Sequence, residues 1–214
     1  PDLDRARSLL IQAQARSGDV AAAIATVSEW IKNDPDNVDA LVIRGNLAAS
    51  QDKVEEAHRY FTQALSKDSD AHEPVIALGK LALNQDNKTE AQKQFRKAVE
   101  LAPDSRQALQ GLASVLDQEE TERFMRQVLE KNPDATGPRL VLLELALRQG
   151  NGREADNLTA SLLERDEEST PSRAAPLVAN IYNNIAANLR QSGDSDRASA
   201  VLNRGRALFP DNEE

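Results

Sequence analysis

The sequence predicts an all-α fold of about six stacked, antiparallel helix-turn-helix hairpins. Three observations carry that prediction. Apolar residues recur at helical spacing and are nearly all aliphatic, with aromatics at 3% against an apolar share of 40%. A pattern of small, bulky and proline positions returns with the 34-residue period of a helix-turn-helix unit. At the middle of nearly every period stands a Gly or Asp followed by a polar residue, where one helix stops and the next restarts.

The pattern is clearest in Ala71–Asp104. Counting His72 as position 1, Leu78-Gly79 take positions 7 and 8, Ala82 takes 11 and Ala91 takes 20. Phe95 follows at 24, Ala98 at 27 and Pro103 at 32. The first hairpin, 4–37, has Leu10-Ile11, Ala23, Val27 and Pro35 at the same sites, with Trp30 and Ile31 late in its second helix. The second, 38–71, has Gly45, Ala57, Phe61 and Ala64-Leu65. The third is 72–105. The fourth, 106–135, is short: Pro103 to Pro133 is 30 residues. Its missing helical turn is expected in the connection near Gln118-Glu119-Glu120-Thr121, with Thr121 in the place of Ala. The fifth, 136–165, returns to register with Leu142-Leu143, Ala146 and Ala155. An acidic loop is expected over 166–174. The sixth, 176–210, carries Tyr182, Ile185-Ala186, Ala198, Leu202 and Pro210, and its first helix is expected to start early, near Pro176.

The turns test this register independently. Position 15 reads Gly18, Asp52, Asp86, Gly150 and Gly193, and the next residue reads Asp19, Lys53, Asn87, Asn151 and Asp194. Gly, Asp and Asn tolerate left-handed backbone, and Asp or Asn then caps the following helix. One hairpin cannot bury its apolar face alone, so such units stack into a single solenoid, here 1–214.

Composition removes several functions. With 35 acidic and 26 basic residues the net charge is −9, which argues against nucleic acid or an anionic membrane as the main partner. There is no cysteine, hence no disulfide or thiolate chemistry. The only histidines are His58 and His72, too few for a His-rich metal site. No apolar run approaches the roughly 18 residues of a membrane span. The carboxylate clusters Glu119-Glu120-Thr121-Glu122 and Asp166-Glu167-Glu168 read as solvated turns or helix starts, where acidic residues suit the dipole. Glycines are scattered one per turn, so no phosphate loop exists. No catalytic residue, metal or cofactor is expected. The opening Pro1-Asp2-Leu3, without Met, is read as a processed product or an excised piece.

These positions resemble the tetratricopeptide repeat along essentially the whole chain. The family's usual Trp at position 4 is absent; Arg7, Leu41, Val75, Leu109, Arg139 and Tyr182 stand there. The resemblance implies a right-handed superhelix whose first helices line a concave groove for a protein or peptide partner. Repeat positions 2, 5, 9 and 13 supply the candidate lining. These are Arg5, Gln12 and Arg16, then Asp39, Asn46 and Ser50, then Glu73, Lys80 and Asn84. Gln107, Gln110 and Ser114 follow, then Glu144 and Arg148, then Asn180 and Asn183, with Asn184 adjacent. Ser8, Val42, Ile76, Gln118, Gly137, Leu140, Ala187 and Gln191 complete those positions. The clamp by which some members grip chaperone carboxylates is not matched: Ser8 and Gln12 stand where Lys and Asn are needed, and Glu73 has the wrong charge.

The resemblance thus implies a non-catalytic scaffold. The turns Asp34-Pro35-Asp36, Gln149-Gly150-Asn151 and Arg190–Asp194 are similar in style to bacterial multi-repeat proteins of cell-envelope and exopolysaccharide-export assemblies. That style favours the periplasm over the cytoplasm. The alternatives are a self-assembling module that forms homo-oligomers through its exposed ends, and a helical-repeat arm of an enzyme whose catalytic part is absent.

Overall fold

The computed structural model describes residues 2–166 and 174–209, and every regular element among them is an α-helix. The helices are taken in chain order, two to each predicted hairpin. The first hairpin is α1 (Asp2–Arg16) and α2 (Val20–Asn33), and the second is α3 (Val38–Ala49) and α4 (Val54–Lys67). Next come α5 (His72–Asn84) with α6 (Lys88–Leu101), and α7 (Arg106–Ala113) with α8 (Gln118–Lys131). The last two are α9 (Thr136–Gln149) with α10 (Gly152–Asp166), and α11 (Ala174–Gln191) with α12 (Ser195–Leu208). The acidic loop expected over 166–174 lies, apart from its two flanking residues, outside the described residues.

The five turn residues at position 15 are the described residues with positive φ: Gly18 at 85°, Asp52 at 57°, Asp86 at 58°, Gly150 at 75° and Gly193 at 86°. A left-handed residue reverses the chain after one helix, and Gly or Asp adopts it most cheaply. The residue after it caps the next helix. Asp19, Asn87, Asn151 and Asp194 each accept a backbone N–H three residues on. Lys53 has no such side chain and makes no cap.

Helix pairs close through a trade of volume between positions 8 and 24. A Cβ added to Gly45 would lie 2.4 Å from the Phe61 ring, and one on Gly79 would lie 2.7 Å from Phe95. Where the first helix carries Ile11 instead, the partner site shrinks to Val27, and both remain buried. The larger residue sits on the second helix in one case and on the first in the other, so that both pairs close without a void, as close packing demands. Each buried ring contributes roughly 1.5–3 kcal/mol of transfer free energy.

The fourth hairpin corrects the sequence reading. Residues Gln118–Thr121 are not its connection; they are the first turn of α8. Asp117 caps that helix, accepting Glu120 N–H at 2.8 Å, and the Glu120 carboxylate accepts Asp117 N–H in return. The missing turn comes from the end of α7, which has 8 residues where α5 has 13. Thr121 is buried in the Ala position with its hydroxyl donated to Asp117 O at 2.7 Å.

The helices gather into two compact units, Pro1–Val115 and Leu116–Glu214. In the first, the leading helices α1, α3, α5 and α7 pack in succession, and each trailing helix packs between hairpins. Ile11, Val27 and Trp30 share a core with Ala40 and Leu47, and Ala57 and Phe61 share one with Ala77 and Leu81. In the second unit α9 packs on α8, α10 and α11, and α11 on α12. Its core joins Leu143, Ala155 and Leu162 to Val178, Tyr182 and Ile185. Arg126 on α8 bridges Glu122 and Glu154, at 2.9 and 3.2 Å, tying α8 to α10. That hydrogen bond from Arg126 holds the Glu122 carboxyl below the ordinary glutamate range.

Candidate partner-binding face

In the first unit most of the predicted lining residues are open to solvent. Arg5, Gln12, Arg16, Asp39, Asn46, Glu73, Lys80, Asn84, Gln107 and Gln110 are all exposed. Lys80 Nζ donates to Gln107 Oε1 at 3.1 Å, joining position 9 of α5 to position 2 of α7. Those two sites therefore share a surface. Ser50 and Ser114 follow the last residues of α3 and α7, and their hydroxyls donate to Leu47 O and Gly111 O at 2.9 and 2.6 Å. They close helix ends and have less to offer a ligand. Ile76 is 3% exposed and belongs to the core, and Gln118 opens α8 instead of lining α7.

In the second unit Gly137 is buried and Glu144 is half-buried, 2.5 Å from Arg148. Asn180, Asn183 and Asn184 are all exposed. The rotation of α11 is set by Val178, Tyr182 and Ile185, buried at helical spacing, with the Tyr182 hydroxyl 3.2 Å from Thr159 Oγ1. Burial pushes the Tyr182 phenol above its ordinary value, so it stays neutral there. With that face fixed inward, 180, 183, 184, 187, 188 and 191 must point outward.

The outward stripe holds four asparagines, one alanine and one glutamine, without a charge. Asn188 belongs to it and was not predicted. Its signal lay in the register: position 10 is Leu47, Leu81, Val115 and Leu145 in the four preceding hairpins, all buried. In α11 that position is an exposed Asn. Among the described residues no hydrogen bond engages the four asparagine amides.

Among the described residues no group of three or more His, Asp or Glu could hold a metal ion, and no helix is long and apolar enough to cross a membrane. What the geometry defines is a helical-repeat interaction scaffold: stacked hairpins presenting ordered polar faces. The chain belongs to the tetratricopeptide-repeat family. Two tetratricopeptide repeat models match it, over residues 8–72 and 48–116, together half of the chain. No curated protein matches it. Among solved structures it is similar to the Naa15/Naa10 complex bound to HypK, with TM-score 0.53 and 17% identity over 96% of this chain and 36% of the other. It is also similar to YrrB, a TPR protein with an unusual peptide-binding site, with TM-score 0.44 and 19% identity over 87% and 93%. The second TPR domain of human RPAP3, in complex with an HSP70 peptide, gives TM-score 0.46 and 21% identity over 52% and 93%.

Proposed function

We propose that the chain is a non-catalytic scaffold that binds an extended segment of a partner protein, and that the amide stripe of α11 is a principal contact. The uncharged stripe itself carries this reading. An Asn amide both donates and accepts, which matches the two groups of a peptide unit. Asn at these positions gives up helix propensity, about 0.5–0.7 kcal/mol each relative to Ala, with no internal hydrogen bond in return. The polar faces of α1, α3, α5 and α7 add mixed charges that suit a polar peptide. The turn style supports a place in a bacterial envelope or exopolysaccharide-export assembly.

Self-assembly end to end would need apolar surface at both ends. α1 exposes Leu3, Leu9 and Leu10, whereas α12 exposes Leu208 alone among its large apolar residues, at 38%. That imbalance favours a scaffold over a head-to-tail polymer.

The test is to pan a random extended-peptide display library on the full chain and to repeat the selection on a variant with Asn180, Asn184 and Asn188 changed to Ala. The proposal expects selected peptides to lose at least about tenfold in affinity for the variant, the equivalent of 1.4 kcal/mol. Equal affinity at unchanged helicity would remove the stripe from the site.

A further inference from the structure

Helix α6 buries Ala91, Phe95, Ala98 and Val99, which fixes its rotation. The opposite side is a stripe at helical spacing: Thr89, Gln92, Lys93, Arg96, Lys97 and Glu100. An open furrow of about 450 Å³ runs between these side chains. Lys93 and Lys97 are exposed, and Arg96 is half-buried and already engaged. The stripe carries three cations against one carboxylate, Glu100 at its end. Glu90 borders it, 3.7 Å from Lys93 Nζ.

The repeat register sets this stripe apart. On α4 the same six positions hold one acid and one base, Glu55 and Arg59, and on α2 they hold Glu29 and Lys32. The spacing also works against the helix. Lys93 stands three residues before Arg96 and four before Lys97, where like charges destabilise a helix. Elsewhere the four-residue spacing holds opposite charges, Glu122 with Arg126 at 2.9 Å and Glu144 with Arg148 at 2.5 Å.

We propose that this stripe of α6 is a second docking surface, besides the amides of α11, and that its occupant is an extended, carboxylate-rich segment of a partner protein. Residues four apart on a helix have Cβ atoms about 5–6 Å apart, as Lys93 and Lys97 do. Alternate side chains of an extended chain are about 6.6 Å apart, so acidic residues two apart meet both ammonium groups. Thr89 and Gln92 add a hydroxyl and an amide for the backbone between them. At physiological salt the Debye length is about 8 Å, so a bound segment senses these cations ahead of the net charge of −9. A phosphate group favours a bidentate guanidinium, and the one guanidinium here, Arg96, is already engaged. An anionic membrane favours apolar side chains beside the cations, and the stripe has none.

Fluorescence anisotropy on the full chain tests this with three labelled peptides: alternating Glu-Gly, alternating Gln-Gly, and a phosphoserine peptide matched in charge to the first. The Glu-Gly peptide should bind at low ionic strength and the Gln-Gly peptide should not. Lys93→Glu should weaken Glu-Gly binding at least about tenfold, because it removes one cation and sets a carboxylate one turn from Lys97. Its helicity should be retained, since it also relieves the like-charge spacing. Arg59→Glu makes the same change of net charge at the equivalent position of α4 and should alter binding less than about twofold. Changing Asn180, Asn184 and Asn188 to Ala should leave Glu-Gly binding unchanged, so this proposal and the α11 reading fail separately. No binding of the Glu-Gly peptide, or an equal loss in Lys93→Glu and Arg59→Glu, overturns the proposal. Tighter binding of the phosphoserine peptide that Lys93→Glu removes assigns the stripe to phosphorylated partners and overturns it. Capture by phosphatidylserine vesicles that Lys93→Glu abolishes assigns it to a membrane and overturns it equally.

Discussion

Gly45 and Phe61 show what a single position can and cannot do in this fold. Gly45→Ala puts a methyl group 2.4 Å from the buried Phe61 ring, so the ring or the helix must shift. The expected cost is about 1–3 kcal/mol of overpacking. Phe61→Val removes the ring and leaves a cavity, at about 2–4 kcal/mol. The double variant approaches the division of volume seen at Ile11 and Val27, so its cost should fall below the sum by about 1 kcal/mol or more. Chemical denaturation of the four species gives that coupling energy; strict additivity would refute the volume trade. This layer was legible in the sequence because Gly at 8 and Phe at 24 recur together. Arg44 was not legible. It stands at position 7, where other hairpins have Leu or Ile, and is 9% exposed. Glu56 takes one of its nitrogens at 2.5 Å and the Tyr60 ring lies 5.0 Å away, while Nε and the other terminal nitrogen are buried without a partner. A partner 12 residues along the chain and a ring 16 along are visible only after the helices pair.

At the scale of the helix, α11 sets stability against binding. Its four exposed asparagines lower helix propensity, and their amides engage nothing else among the described residues. Changing Asn180, Asn183, Asn184 and Asn188 to Ala should therefore stabilise the chain by roughly 2 kcal/mol in total, at about 0.5–0.7 kcal/mol each less some loss to solvation of the unfolded state. The same variant should lose its selected peptides. Thermal unfolding checks the first half, and a lowered midpoint would mean the amides hold the fold instead of serving a ligand. The sequence showed three of these four residues; the fourth stands at position 10, which is aliphatic and buried in the four hairpins before it. α7 teaches a related point. A 30-residue spacing shows that a turn is missing and is silent on which helix lost it. The Asp117–Glu120 pair, a capping-box signature, was the clue that α8 starts at Gln118.

Over the whole chain, stability in stacked repeats is a sum of local terms, so cooperativity is set by how contacts cluster. Here they cluster into Pro1–Val115 and Leu116–Glu214, and the division falls inside the hairpin that lost a turn. The family models together reach residue 116, so the stretch with the strongest repeat signature coincides with the first unit. The second unit adds to its apolar core the Thr159–Tyr182 hydroxyl pair and Arg204 on Asp156 at 2.7 Å. Unfolding of the full chain is therefore expected to depart from a single two-state transition. Gly45→Ala should speed amide exchange across α3–α6 and leave α9–α12 unmoved. Thr159→Val strands the buried Tyr182 hydroxyl and costs about 1–2 kcal/mol. It should speed exchange across α10 and α11 and leave α3–α6 unmoved. Urea unfolding should correspondingly give a slope below that of one cooperative domain of 214 residues. If either variant accelerates exchange equally in both halves, the chain unfolds as one body and the shortened hairpin is no boundary in its energetics.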